Sequence, residues 1–285
     1  YIMSNQNYLS IYAKSFNWAG FFLPKKTYRE CSILYDFCRT IDNIADEDGG
    51  LDIKKTNLLN FKNSFINKNY ENSIIKNMWD LINHFSISQK IINDLFDGVE
   101  SDLKEKVQLN SKKDILIYSY RVAGSVGLMM AKILNVKNKN ALKSAIDLGI
   151  AMQLTNISRD VVEDLQNNRS YIAANFNSIQ DTLKLADLFY ESSFVSIKEI
   201  PINFRFSILV ARRVYRKIGH NILKKKNFEN YNNAGKIYVT NIGKISQTIL
   251  SIYDLMKLSL MKPGEHLRDK EHLVINEEIN LNERV

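Results

Sequence analysis

The chain has 285 residues, of which 45 % are hydrophobic and 25 % charged, and its formal net charge is +8. This composition is that of an ordinary globular protein and does not indicate disorder. The positive charge suits an anionic surface such as nucleic acid, a phospholipid leaflet or a phosphorylated substrate, and does not choose among them.

Apolar residues recur at three- and four-residue spacing along nearly the whole chain, and the only prolines are Pro24, Pro201 and Pro263. This pattern predicts an all-α protein. We expect one domain over 1–285, with a charged tail, 265–285, that is either mobile or docked on the core. The predicted helices are 7–19, 25–46, 53–67, 71–84, 88–105, 111–134, 139–165, 178–195, 202–224 and 236–260.

The second predicted helix carries a polar line within an apolar surround. Tyr35, Arg39, Asp42 and Asp46 are spaced by four, three and four residues, which places them on one face. A solvent-facing stripe would explain this line alone. The apolar flanks instead favour burial, and a buried pair of carboxylates requires cations.

A second polar line lies in the predicted helix 139–165. Gln153, Asn156, Asp160 and Asp164 again follow three- and four-residue steps between apolar neighbours. Amides are uncommon choices for a solvent-facing helix surface, whereas amides and carboxylates together suit oxygen coordination inside a cavity.

The two lines together predict a polyanion site bridged by Mg²⁺. Magnesium prefers oxygen ligands and binds through a few carboxylates together with substrate phosphates. Arg39 and Arg159 lie beside the carboxylates and could neutralise the same anion. By contrast, the spacing of His84, His220, His266 and His272 predicts no zinc site.

At these residues the chain resembles the squalene/phytoene synthase family, and most of all its bacterial phytoene synthases. The resemblance covers most of the chain. It rests on KSF (14–16), YDFCRTIDNIAD (35–46), YSYRVAGSVG (118–127), QLTNISRDVVED (153–164) and RSY (169–171). It implies a single-domain isoprenoid-synthase helical bundle around a central cavity, with the two aspartate motifs facing each other across its mouth.

The resemblance also assigns roles to single residues. The catalytic set would be Asp42, Asp46, Asp160, Asp164 and Tyr118, and the Mg²⁺ ligands would be the same four aspartates with Asn156. The substrate diphosphates would meet Lys14, Ser15, Tyr35, Arg39, Gln153, Asn156, Arg159, Arg169, Tyr171, Tyr215 and Lys236. The prenyl pocket would be lined by Phe16, Gly20, Ser32, Tyr120, Val122 and Gly127.

Two positions depart from the family pattern. This chain has Tyr12 near where members often carry a histidine, and Lys236 where they often carry an arginine. Lysine keeps the charge but loses the bidentate fork of arginine, so details of diphosphate binding are open. For the run at 123–127, close helix packing remains an alternative to tunnel lining.

The resemblance implies a Mg²⁺-dependent prenyltransferase of carotenoid biosynthesis that joins two prenyl diphosphates head to head. The allylic cation formed when diphosphate leaves would be attacked by the second chain, giving a cyclopropyl diphosphate that rearranges. Small residues, Gly20 and Ser32, favour the longer C20 substrate and hence phytoene. Condensation of C15 farnesyl diphosphate to presqualene diphosphate, squalene or dehydrosqualene is the alternative.

Two other classes of function remain open. A non-catalytic assembly protein could share the fold, although four retained aspartates argue against it. A nucleic-acid binder would need a basic stripe interleaved with aromatic residues, which the sequence lacks. We expect Mg²⁺, or Mn²⁺ in its place, and no nicotinamide cofactor, because no Gly-x-Gly-x-x-Gly follows a strand.

The sequence also indicates where the protein works. The most apolar window, 115–134, contains Arg121 and is a poor bilayer span, and the first residues do not have the layout of a signal peptide. We expect a cytoplasmic protein, with a peripheral contact at the inner face of the membrane as a further expectation. The oligomeric state is not predicted.

Overall fold

The computed structural model describes residues 14–47, 49–262 and 264–285, and in 14–16 it describes the backbone alone. The helices are α1 Lys14–Gly20, α2 Lys25–Asp46, α3 Leu51–Ile66, α4 Ser73–Phe85, α5 Gln89–Ser101, α6 Lys112–Ser119, α7 Ser125–Ile133, α8 Lys139–Arg159, α9 Val161–Gln166, α10 Phe176–Ser196, α11 Ile202–Leu223, α12 Phe228–Asn233, α13 Asn241–Leu260 and α14 Asp269–Asn276. Short 3-10 turns follow at Ile197–Glu199 and Leu281–Glu283, and a two-stranded parallel pair joins β1 Val107–Gln108 to β2 Arg169–Ser170.

The all-α prediction is confirmed, and two predicted helices differ in detail. A π-helical turn, Tyr120–Gly124, separates α6 from α7 inside the predicted helix 111–134. The predicted helix 139–165 is divided at Asp160, which has φ −105° and ψ 12° between α8 and α9. Such interruptions are frequent near functional sites.

Polar residues just before the helices fix where many of them begin. The side chain of Asn138 accepts a hydrogen bond from the backbone N–H of Ala141, and that of Ser111 accepts one from Asp114. These bonds satisfy N–H groups that have no partner within the helix, which stabilises a helix start by about 1 kcal/mol. The same type of cap precedes α4, α5, α10, α12 and α13.

The core is built around α8, which is buried along most of its length and packs against α7, α10 and α11. Ile146, Ile150 and Leu154 on α8 are fully shielded from solvent. A second part of the core is aromatic: the ring of Phe37 on α2 lies 5.2 Å from Phe65 and 6.1 Å from Phe96. This packing holds α2 in place, so the polar line on α2 has a fixed direction.

Two glycines allow α7 and the π-helical turn to approach α8 closely. A Cβ atom on Gly127 would lie 2.3 Å from the carbonyl oxygen of Ala145, and one on Gly149 would lie 2.2 Å from that of Ala123. Either distance is far below van der Waals contact. The structure therefore supports helix packing as the role of Gly127, while tunnel lining stays a prediction.

The C-terminal residues 264–285 lie against the bundle. Arg284 binds both carboxylate oxygens of Asp94 at 3.0 Å, and the hydroxyl of Tyr120 donates to the same carboxylate at 2.8 Å. Lys113 also pairs with Glu277 at 2.7 Å. These contacts tie the tail to α5, α6 and the π-helical turn.

Among the described residues, no helix combines the length and the apolar character that crossing a bilayer demands.

Candidate active site

The first polar line lies on α2 as predicted. Asp42 is partly buried, and its pKa is raised from 3.8 to about 7, mainly by burial and further by Asp46 and Asp102, against the lowering effect of Arg39. Burial also raises the pKa of Tyr35 to about 12. Burial disfavours the charged form of a carboxyl group, and at Asp42 the guanidinium of Arg39 offsets this only in part.

The second polar line runs across the junction of α8 and α9. The Nδ2 of Asn156 donates to the Oε1 of Gln153 at 3.4 Å, while the buried Oδ1 of Asn156 has no hydrogen-bond partner. One turn on, the guanidinium of Arg159 holds both oxygens of Asp160, at 2.8 and 2.6 Å. Asp164, mainly because of burial and then because of Asp160, has a pKa raised to about 7.

A cation from the short sheet connects the two lines. Strand β2 pairs with β1 in the register Val107↔Arg169, and this places Arg169 with its Nη2 3.3 Å from the Oδ1 of Asp46. The charge of Arg169 also lowers the pKa of both Asp42 and Asp164. The structure therefore brings the two aspartate helices together around one arginine.

Asp102, directly after α5, joins the same site. Its Oδ2 accepts a hydrogen bond from the hydroxyl of Tyr118 at 2.7 Å, and its Oδ1 accepts one from Tyr171 at 2.8 Å. The two tyrosine rings stack with centroids 4.7 Å apart. Burial raises the pKa of Asp102 despite these hydrogen bonds, and its charge raises the pKa of Asp42 and Asp164.

A cleft of about 290 Å³ is lined by Arg159, Asp160, Tyr231 and Lys236 together with their neighbours. Lys236 lies 2.6 Å from Glu163 and 3.5 Å from Asp160. The hydroxyl of Tyr231 donates to the backbone oxygen of Arg159 at 2.7 Å. Lys236 thus contacts the second aspartate line, as the prediction of a diphosphate-binding role requires.

Tyr215 on α11 interacts electrostatically with Arg159 on α8 and with Tyr35 on α2. Burial raises the pKa of Tyr215, Arg159 lowers it, and Tyr215 in turn raises the pKa of Tyr35 on α2. Three helices therefore contribute to this part of the site.

The residues predicted to line the prenyl pocket have different surroundings. A Cβ on Gly20 would lie 2.7 Å from the ring of Tyr28, whose hydroxyl donates to Asn17. This ring lies beside Gly20, and the pocket role of Gly20 stays a prediction. The hydroxyl of Ser32 donates to the carbonyl of Tyr28 within α2. The side chains of Lys14, Ser15 and Phe16 lie outside the described residues.

Two other pocket residues contact α5. Tyr120 is fully buried and directs its hydroxyl to Asp94, rather than presenting an open face to a substrate. Val122 packs where a Cβ on Gly98 would lie, 2.8 Å from its Cγ1. Their predicted contact with a prenyl chain stays a prediction.

The donor set fits a divalent, oxygen-seeking metal ion. Asp42, Asp46, Asp160 and Asp164 supply carboxylates, and the unpartnered Oδ1 of Asn156 is a further oxygen donor on the same face. Burial and neighbouring carboxylates raise the pKa of Asp42 and Asp164, and the nearby guanidinium groups, Arg39 and Arg169 for Asp42 and Arg169 for Asp164, offset this only in part. A hard dication with oxygen ligands would supply further positive charge.

The sequence missed three contributors to this region: Asp102, Glu163 and Tyr231. Asp102 belongs to no polar line, and nothing in its local sequence separates it from the surface acids Asp97 and Glu100. Tyr231 and Glu163 enter through contacts that span more than 70 residues of sequence. Only the fold reveals such contacts.

Known proteins resemble this chain both in sequence and in fold. The sequence model of "Squalene/phytoene synthase" matches residues 10–178. A 15-cis-phytoene synthase of Pantoea ananas is 28 % identical over 74 % of this chain and 79 % of its own, and one of Enterobacter agglomerans is 29 % identical over 76 % and 84 %. A dehydrosqualene synthase crystal structure with a bound ligand superposes with a TM-score of 0.75 at 25 % identity, covering 88 % of this chain and 94 % of that one. A squalene synthase, HpnC, of Alicyclobacillus acidocaldarius shares the fold, with a TM-score of 0.66 at 15 % identity over 78 % of this chain and 91 % of that one. The chain belongs to the squalene/phytoene synthase family.

Proposed function

We propose that the protein condenses two molecules of geranylgeranyl diphosphate head to head to phytoene, as the named relatives imply. The observation that carries the proposal is the meeting of two aspartate lines around Arg169 and Asp102. Such a site concentrates carboxylates for metal ions and cations for diphosphate at one place. That combination is what departure of a diphosphate group requires.

The metal ligands in this proposal are Asp42, Asp46, Asn156, Asp160 and Asp164, and the metal is Mg²⁺, with Mn²⁺ as a substitute. Bound there, the metal would neutralise the diphosphate oxygens as negative charge develops on them. Arg159 holds both oxygens of Asp160. A diphosphate would compete for that guanidinium and free the carboxylate for the metal.

Tyr118 and Tyr171 would serve the carbocation rather than the diphosphate. Their stacked rings lie beside Asp102, whose carboxylate holds both hydroxyls. Aromatic faces stabilise a nearby cation by electrostatic attraction. Tyr171, which the sequence assigned to diphosphate binding, is placed by these contacts next to Tyr118.

The choice between C20 and C15 substrates rests on the relatives named phytoene synthase, because the ring of Tyr28 takes the space beside Gly20. The similarity of the fold to that of a dehydrosqualene synthase favours the C15 alternative. We therefore keep condensation of farnesyl diphosphate as the second candidate.

The test is incubation of the purified protein with Mg²⁺ and either geranylgeranyl or farnesyl diphosphate, without NADPH, followed by product identification. A C40 hydrocarbon from the C20 substrate supports the proposal. A C30 hydrocarbon or a cyclopropyl C30 diphosphate would replace it with the second candidate. No turnover of either substrate would instead favour a non-catalytic assembly role.

A further inference from the structure

A buried cluster of metal-binding side chains lies outside the site described above. Asp147 is on the inward face of α8, His272 is on α14, and His266 is in the loop before α14. All three side chains are at most 7 % exposed. One potential metal-ligating atom from each of these three side chains lies within 4.8 Å of the other two, and no other three His, Cys, Asp or Glu side chains among the described residues come together in this way.

The donor atoms are arranged around one carboxylate. The Nε2 of His272 lies 2.7 Å from the Oδ1 of Asp147, and the Nε2 of His266 lies 2.9 Å from its Oδ2. The two imidazole rings are 4.3 Å apart between centroids. Both Nε2 atoms and both carboxylate oxygens are thus directed to one small region, in the manner of two histidines with a bidentate aspartate.

The surroundings of His266 and Asp147 resemble an outer coordination shell, whereas the buried Nδ1 of His272 has no hydrogen-bond partner. The Nδ1 of His266 lies 2.8 Å from the Oδ1 of Asp269, and the hydroxyl of Ser192 donates to Asp147 at 2.7 Å. A metal-bound histidine almost always donates its second N–H to a carboxylate or carbonyl, which fixes the ring and its tautomer. Asp269 supplies such a partner from the surface.

The chemistry of the donors selects the metal. Imidazole nitrogen suits zinc and other transition metals, whereas magnesium takes oxygen ligands. Two neutral histidines, Asp147, Asp269 and one dication sum to zero charge, which is favourable in a buried site. Burial on all sides is typical of a structural zinc site, which has no open position for a substrate.

We propose that Asp147, His266 and His272 form a structural site for a zinc-type divalent ion that fastens residues 264–276 to α8. The spacing of the histidines did not predict this site, because the third ligand, Asp147, is 119 residues away from His266. The proposal is independent of the catalytic reaction, since none of these residues contacts the aspartate lines.

The test uses the full chain with any histidine tag removed and its metals stripped by a chelator. Co²⁺ is added while the visible ligand-field absorption of nitrogen- and oxygen-bound cobalt is recorded, and Zn²⁺ is then added to displace it. We expect saturation at about one Co²⁺ per chain, displacement by Zn²⁺ and no displacement by millimolar Mg²⁺. The melting temperature should rise with Zn²⁺.

Variants locate the ion. His272→Ala removes a ligand and should weaken Zn²⁺ binding by more than the roughly 10–100-fold that loss of an outer-shell partner costs. Asp269→Asn changes only an exposed side chain and should weaken binding within that range, so it tests the site without risk to folding. His84→Ala removes an exposed histidine on α4 and should bind as the unmodified chain does.

Absence of stoichiometric Co²⁺ and Zn²⁺ binding to the unmodified chain would overturn the proposal and leave a hydrogen-bonded His-Asp-His cluster. Equal losses of Zn²⁺ affinity in His84→Ala and His272→Ala would overturn it as well, and so would an unchanged Zn²⁺ affinity in Asp269→Asn.

Discussion

The Nη2 atom of Arg169 lies 3.3 Å from the Oδ1 atom of Asp46, although 123 residues separate them in the sequence. The short pairing of β1 with β2 makes this contact possible, because it fixes the backbone of Arg169 beside the end of α5. One arginine thereby faces carboxylates from α2, from α9 and from Asp102. Its position defines the centre of the proposed active site.

Removing one carboxylate from either line should abolish most of the activity. Asp42→Asn and Asp164→Asn keep the side-chain shape but remove the negative charge of a proposed metal ligand, and each should lower kcat by about 10²-fold or more. Circular dichroism would verify folding, and product formation from geranylgeranyl diphosphate would measure the effect. Asp52→Asn, an exposed aspartate in the first turn of α3, serves as the control. Full activity in both site variants would refute the assignment.

The metal-free protein should lose stability as pH rises from about 4 to 7. The pKa values of Asp42 and Asp164 are raised from 3.8 to about 7 in the fold, so the folded state binds more protons than the unfolded state in this window. Unfolding free energy then falls with increasing pH, and the contribution is fully present only below the unfolded pKa. Urea unfolding at several pH values measures this slope.

Mg²⁺ should counteract that loss at the high end of the window, because a ligand that binds only the folded state stabilises it. Its affinity should rise as pH passes 7, where both carboxyls ionise. A stability profile that does not respond to Mg²⁺ at pH 8 would contradict metal binding at these residues. The double variant Asp42→Asn/Asp164→Asn should have a flatter profile without metal.

Asp102 should matter for turnover more than for substrate binding. Asp102→Asn leaves one acceptor oxygen where the hydroxyls of Tyr118 and Tyr171 now use two. We expect kcat to fall roughly 10–100-fold, which is the range for groups that position the residues of a site through hydrogen bonds, and we expect KM to change little. Asp97→Asn, one turn earlier and exposed, should leave both constants unchanged. A larger change in KM than in kcat would count against this role.

Lys236 should contribute through its charge. It lies between Glu163 and Asp160 at the cleft, so Lys236→Ala should raise KM for the diphosphate substrate and Lys236→Arg should retain it. Lys76→Ala removes an exposed lysine on α4 and controls for net charge. Steady-state kinetics of the three variants would measure KM, and an unchanged KM in Lys236→Ala would show that Lys236 does not bind the diphosphate.

Gly127 should be required for stability. In Gly127→Ala the new methyl would meet the carbonyl oxygen of Ala145, and overpacking of this kind costs about 1–3 kcal/mol. Gly50→Ala adds the same methyl where no atom lies within 4 Å and should change the unfolding free energy little. Urea unfolding of the two variants gives the comparison. Equal stability would show that α7 and α8 can separate without penalty.

The helical periodicity of the sequence predicted the fold class and most of the helices, because three- and four-residue spacing is a local property of the chain. The same periodicity placed Asp42, Asp46, Asp160 and Asp164 on shared faces. It could not predict that Asp160 ends one helix and starts another, or that Asp102 joins them, since neither depends on local spacing.

The space beside Gly20 also depends on contacts that spacing does not show. A small residue frees space only if no neighbouring side chain fills it, and the ring of Tyr28 on α2 lies beside Gly20 in this structure, so the pocket role of Gly20 stays a prediction. Histidine spacing was equally uninformative, because His266 and His272 meet through Asp147 on a distant helix. Contacts between helices decide such cases.

The π-helical turn at Tyr120–Gly124 gives this segment some tolerance to a change in length. A π turn closes on the backbone five residues back instead of four, so it holds one residue more than an α-helical turn between the same two ends. Deleting that residue would restore regular helix and leave the direction of α7 nearly unchanged, so Gly127 would keep its contact with α8. Deleting a residue between the turn and Gly127 would instead rotate everything beyond it by about 100° and remove that contact. The turn can therefore lose one residue with little effect on the packing of α7, which the regular helix after it cannot.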